Sequence, residues 1–217
     1  MKRTVIFLLL YICIVSGIAQ DSKLSVGFEL TPASVWLRGN LNAESLNSDI
    51  GLITGLTLDY KLVDQIGLKT GITFDSRGAK SSEPAFDQLG NESGTAEIKL
   101  NYNYLGIPVI GSLNLLENRF YIDGGFNLLF LINENHEGPE SHMEALVGPK
   151  GENSTNSFDV AFTTGFGGNF PMGERFIFTA GLQLSLGLTN ISSVPVVGDG
   201  SIKTNSLGLK MGLKYTL

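Results

Sequence analysis

The side chains best suited to acid–base or metal chemistry crowd into one stretch. His136 and His142, the two histidines of the sequence, lie among Glu134, Glu137, Glu140 and Glu144, with Ser141 inside the stretch and Ser157 at its end. Imidazole and carboxylate together can hold a divalent cation. A histidine beside a serine hydroxyl, with a carboxylate to orient it, is the set used in nucleophilic hydrolysis. Neither chemistry finds a tight spacing here, and Asn133–Ser157 reads instead as a long, acidic, solvated loop. Gly165-Phe166-Gly167-Gly168 carries no phosphate-loop lysine and lies within an apolar–polar alternation. The expectation is therefore a protein without catalytic residues, cofactor or metal.

The chain around these residues has 217 positions, 42% hydrophobic and 17% charged, with 27 glycines, one cysteine and a net charge of −6. So few charges with so many glycines disfavour a long-helix protein and favour strands and turns. The acidic balance removes the electrostatic footprint of a nucleic-acid binder, and a single Cys excludes an internal disulfide framework. Met1-Lys2-Arg3, the apolar run Val5–Val15 and small residues at Gly17 and Ala19 read as a signal peptide over 1–19, cleaved after Ala19. Cys13 lies inside the apolar run behind the bulky Ile12, so it is not a lipidation site. The remaining domain is 20–217.

From Leu24 onward the chain alternates apolar and polar residues with period two, the mark of strands whose faces meet different surroundings. Seven segments alternate cleanly, and an eighth, about Thr95 to Leu115, changes phase. There Ile98, Leu100, Tyr102 and Tyr104 share one face, followed by Leu105, Ile107 and Val109. A β-bulge at Gly106–Pro108 would produce that slip. Tight connections at Val63–Gln65, Leu116–Asn118 and Pro171–Glu174 alternate with long ones near Arg38–Asp49, Gly78–Gly94, Asn133–Ser157 and Asn190–Thr204. All short turns then fall on one rim and all long loops on the other. The fold class is all-β, an eight-stranded antiparallel up-and-down transmembrane β-barrel.

Volume and charge orient its faces. The interior of an eight-stranded barrel is only just wide enough for side chains, and the Phe- and Leu-rich face would overfill it, whereas the Gly-rich polar face leaves room. Glu29, Asp59, Asp75, Glu97, Asp123 and Asp159 share the polar face with Lys61, Lys69, Lys99, Arg119, Arg175, Lys210 and Lys214. These are expected to pair inside a closed lumen, since a Lys facing mid-bilayer costs roughly 2–4 kcal/mol. Tyr60, Phe120, Phe170, Phe176 and Tyr215 fall at the short-turn rim, and Trp36, Phe74, Phe130 and Phe158 at the long-loop rim, as two aromatic girdles.

The segment Tyr104-Leu105-Gly106-Ile107-Pro108 resembles the Y-L-x-I-P signature of the PorT-like outer-membrane β-barrel family of Gram-negative bacteria. Ser157–Val160 with Gly165–Gly167, and Leu186–Ile191, are similar to that family as well. The C-terminus resembles the assembly signal of outer-membrane barrels, with Leu217 where an aromatic is usual. The resemblance implies an exported protein of the cell outer membrane with no assigned chemistry. Its expected partners are outer-membrane lipid, and envelope or secretion proteins met through extracellular loops or the periplasmic rim, with no nucleic acid. Two other classes stay open on the sequence. One is a soluble periplasmic, lipocalin-like barrel around an apolar ligand. The other is a lipid A-modifying enzyme using His142 with Ser141 or Ser157.

Overall fold

A computed structural model describes residues 23–39, 46–86, 92–138, 155–193 and 200–217. The signal-peptide segment and Glu140, Ser141, His142 and Glu144 lie outside the described residues. Eight strands follow one another: β1 Leu24–Arg38, β2 Asp49–Lys61, β3 Ile66–Phe86, β4 Glu92–Leu115, β5 Phe120–Glu137, β6 Phe158–Met172, β7 Phe176–Gly187 and β8 Lys203–Thr216. Each pairs antiparallel with its neighbours in sequence, and β1 pairs with β8, so the sheet closes. Closure leaves no strand edge for lipid to meet, which is what a bilayer demands of β structure.

The two faces separate by burial as the alternation requires. Phe28, Leu56, Ile72, Phe126, Phe166 and Leu213 point outward and are exposed, whereas Thr31, Thr57, Thr73, Asp123, Thr163 and Lys210 point inward and are buried. A soluble barrel around an apolar ligand needs the opposite. Outward aromatics mark both ends of the apolar band. Phe74 pairs with Leu105, Leu105 with Phe130, and Phe130 with Phe158, a continuous line across four strands. The rings of Phe130 and Phe158 lie 5.2 Å apart. Near the short turns Phe176 and Tyr215 lie 5.1 Å apart, and Phe170 and Phe178 6.2 Å. Trp36 faces outward at the long-loop end, while Tyr60 and Phe120 face outward near the short turns.

The phase change expected at Gly106–Pro108 is not a bulge. Along β4 every even residue from Ile98 to Ile110 is buried, with no slip. What changes is the surroundings. Below Leu105 the outward residues Ile107 and Val109 are apolar, and above it Lys99, Asn101 and Asn103 are polar, while Ile98, Leu100, Tyr102 and Tyr104 fill the inside. β4 has 24 residues, and a bilayer is crossed by about 9–11. The strand therefore leaves the membrane, and its polarity inverts to that of a water-exposed sheet. The actual slip lies on β5: Asn103 pairs with Asn133 but Tyr104 with Leu131, leaving Ile132 as the extra residue.

The same extension shortens two of the expected loops. Most of Gly78–Gly94 is strand, since β3 runs to Phe86 and β4 starts at Glu92, and Asn133, Glu134, His136 and Glu137 belong to β5. At the opposite rim, Leu116, Glu117 and Asn118 all take positive φ (49°, 57° and 65°), so that a three-residue left-handed reversal joins β4 to β5. This conformation costs about 1–2 kcal/mol per ordinary L-residue.

Candidate functional site

The inward face builds three layers along the barrel axis. Nearest the short turns lies a network of three cations and three carboxylates. Lys69 Nζ is 2.7 Å from Glu29 Oε1 and 3.3 Å from Asp123 Oδ2, and Lys210 Nζ also donates to Asp123 Oδ2. Ser112 Oγ donates to Asp123 Oδ1 at 2.7 Å, and Lys214 Nζ lies 2.7 Å from Asp59 Oδ1. Lys210 also stands 4.3 Å from the centre of the Tyr121 ring, a cation–π contact. Tyr121 lies over the neighbouring strands β6 and β7 because Gly167, its cross-strand partner, and Gly181, paired with Gly167, lack side chains. A Cβ on Gly167 or Gly181 would come within 2.5 or 2.6 Å of Tyr121 Oη.

The middle layer is small and polar: Thr31, Thr73, Asn127 and Thr163 around Gly106 and Gly165. Its free space is about 40 Å³, room for about one water. Above it sits a second charged layer. Arg77, wholly buried, reaches Asp75 Oδ2 at 2.7 Å, Ser185 Oγ at 2.9 Å and Thr204 Oγ1 at 2.9 Å. Thr204 donates on to Asp159 Oδ2 at 3.2 Å, and Thr189 donates to Asp159 Oδ1. This layer abuts an apolar plug, in which Leu37, Ala79, Ile98, Leu100, Tyr102, Tyr104, Leu129, Ala161 and Ile191 pack together at the long-loop end.

Toward the short turns the barrel opens into a vestibule of about 820 Å³ whose floor includes Lys69, Lys210, Asp123 and Tyr121. The lumen is thus a blind cup, open below and plugged above. Buried charges are costly unless paired and hydrogen-bonded. The ion pairs of Lys69, Lys210, Lys214 and Arg77 meet most of that demand. Asp159 is held by threonine hydroxyls, while Asp59 Oδ2, Asp75 Oδ1 and Arg77 Nε have no hydrogen-bond partner among the described residues.

Not every residue expected in the lumen is there. Arg175 is exposed at the short-turn rim, where Nη1 donates to Tyr215 Oη at 2.8 Å. Arg119 is exposed on the β4–β5 turn, and Lys61 pairs at 3.0 Å with Asp64 at the vestibule mouth. Glu97 and Lys99 stand on the outer surface of the β4 extension, with Lys99 opposite Glu137. Strand ends flare into water at both rims, so alternation there no longer separates lumen from lipid. Arg77 falls outside the lumen set that the sequence suggests, because the stretch from Gly78 reads as a loop. Its signal was the unbroken period Thr73, Asp75, Arg77, Ala79.

His136 faces the Tyr102 ring edge-on at 5.6 Å, and no hydrogen-bond partner reaches either of its ring nitrogens among the described residues. Burial lowers its pKa below the ordinary 6.5, against the pull of Glu134. Ser157 contributes its carbonyl, which accepts from Leu131 N–H at 2.8 Å. Among the described residues no group of three metal-ligating side chains assembles.

A family model described as outer membrane protein beta-barrel domain matches residues 18–193. No curated protein matches the sequence. Among solved structures, the Neisserial surface protein NspA is similar at 11% identity and TM-score 0.47, over 89% of this chain and 97% of that one. Ail of Yersinia pestis is similar at 11% identity and TM-score 0.41, over 89% and 99%. OprG of Pseudomonas aeruginosa is similar at 14% identity and TM-score 0.35, over 89% and 95%.

Proposed function

Because this chain belongs to the outer-membrane β-barrel domain family, we propose that it serves the outer membrane as a closed structural and interaction barrel, neither conducting solutes nor catalysing a reaction. Its location in the outer membrane follows from that membership. The observation that carries the reading is the doubly blocked axis. The Arg77 layer is held by side-chain hydrogen bonds from β3, β7 and β8, and nine buried apolar residues cover it. A hydrated ion would have to strip those partners and cross an apolar plug, and each step costs several kcal/mol.

The contact surface we assign is the long-loop end. There β3, β4 and β5 stand clear of the apolar band with polar outward residues such as Asn101, Asn103 and Asn135, continued by the Asn133–Ser157 segment. The partners are envelope or secretion proteins met there or at the periplasmic rim. Membership in the PorT-like branch is our finer reading and rests on Tyr104-Leu105-Gly106-Ile107-Pro108. A lipid A-modifying role would rest on His142 with Ser141 or Ser157; His142 and Ser141 lie outside the described residues, and no observation in the described barrel favours it. Single-channel recording in planar bilayers tests the closed axis: the expected trace is flat, and stable stepwise conductance overturns the reading. Comparing proteins that co-purify with the intact chain and with a chain lacking residues 139–154 tests the contact surface.

A further inference from the structure

The vestibule at the short-turn end has a charge opposite to that of the chain. Six cations line it, Lys23, Lys61 and Arg119 toward the mouth and Lys69, Lys210 and Lys214 deeper in, against three carboxylates. The whole chain carries −6. Even when Glu29 and Asp64, the ion partners of Lys69 and Lys61 outside its wall, are included, the cup stays positive. Neither Lys23 nor Arg119 forms an ion pair among the described residues. The cup is also short of acceptors. Tyr121 and Thr179 line it, both more than nine-tenths buried, and both of their hydroxyls lack a hydrogen-bond partner. A concave, low-dielectric wall with a net positive charge concentrates anions.

We infer that this vestibule is a binding cup for a small, multiply charged oxyanion of the phosphate or pyrophosphate class, entering from the short-turn rim. Such an anion offers several acceptor oxygens, which Arg119 takes as a planar fork and the lysines as point charges. The Tyr121 and Thr179 hydroxyls supply neutral donors deeper in the cup. The plug above the Arg77 layer makes access one-sided, and the short-turn rim faces the periplasm in barrels of this family. The anion is therefore a periplasmic solute or the phosphate of an inner-leaflet headgroup.

The test uses the folded protein in phosphatidylcholine nanodiscs, titrated with inorganic pyrophosphate and followed by calorimetry and by backbone amide shifts. The expected result is one saturable site, with shifts centred on Ser112, Asn114, Asn169 and Thr179. Lys23→Gln with Arg119→Gln removes two mouth cations that hold no other partner, and weakens binding about tenfold. Lys80→Gln at the opposite end leaves binding unchanged. Repetition in phosphatidylglycerol nanodiscs assigns the source. Severalfold weaker pyrophosphate binding there identifies a headgroup as the occupant, and unchanged binding identifies a free solute. No saturable binding up to about 10 mM, or equal binding by the double variant, overturns the inference. Conductance tells this failure apart from failure of the closed-axis reading, because an open barrel would conduct whether or not it binds the anion.

Discussion

Asp123 is the hub of the lower network, and its replacement by Asn keeps shape while removing charge. The carboxylate serves Lys69, Lys210 and Ser112 at once. In Asp123→Asn two buried ammonium groups are left with Glu29 as the one carboxylate bonded to either of them. Breaking a buried pair by removing one partner costs about 3–5 kcal/mol. The layer forms the floor of the open vestibule, which places the loss at the lower end of that range. Asp59→Asn is the internal comparison. Its partner Lys214 and Asp59 itself keep 17% and 18% of their side-chain surface exposed, and a single charge-assisted bond is lost, so that loss is smaller, about 1.5–3 kcal/mol. In Asp123→Asn/Lys210→Met the unpaired charge goes as well, and most of the lost stability returns. Urea unfolding from lipid vesicles reads all three variants through Trp36, the single tryptophan, with heat-modified gel mobility as a second probe. Equal losses for Asp123→Asn and Asp59→Asn, or a double variant weaker than Asp123→Asn, would refute the reasoning that unpaired buried charge dominates here.

Three further perturbations test separate parts of the barrel. Phe126 points outward between the two girdles, half exposed, so Phe126→Lys should destabilise the bilayer-inserted protein by roughly 2–4 kcal/mol, measured by the same unfolding assay; a neutral effect would remove the lipid contact. A Cβ on Gly167 meets Ala180 O at 2.3 Å and Tyr121 Oη at 2.5 Å. Gly167→Ala should therefore cost about 1–3 kcal/mol, and Tyr121→Phe should recover part of it, because the backbone clash remains. His136 has its pKa lowered in the fold by burial, so the unfolded segment binds the proton more readily. Its contribution to local stability is complete above the ordinary pKa of 6.5 and is lost as pH falls below it. Amide protection factors at Asn101 and Asn103 should fall in acid, and His136→Gln should abolish that dependence.

Some of this barrel was legible residue by residue. Leu24, Val26 and Phe28 opposite Ser25, Gly27 and Glu29 already separate a lipid face from a lumen face, because a strand turns successive side chains through half a revolution. The alternation of short and long connections does the same for the two rims. His136 shows the limit of that approach. Its place in an acidic stretch reads as that of a metal ligand in a loop, yet it lies on a strand against Tyr102, and composition alone does not distinguish a polar strand above the membrane from a polar loop.

Sequence by itself therefore determined the strand count, the closed up-and-down order and the face presented by side chains within the apolar band, since these depend on spacing along one chain. Tertiary structure alone decided which charges meet. Lys69 of β3 finds Asp123 of β5, and Lys214 of β8 finds Asp59 of β2, pairs of non-neighbouring strands whose relative height follows from the register summed around the closed sheet. It also decided that the change at Tyr104 and Leu105 is an exit from the bilayer. The period stays at two through that point while the solvent outside changes from acyl chain to water, and the identity of the surrounding medium is not written in the spacing of residues along a strand.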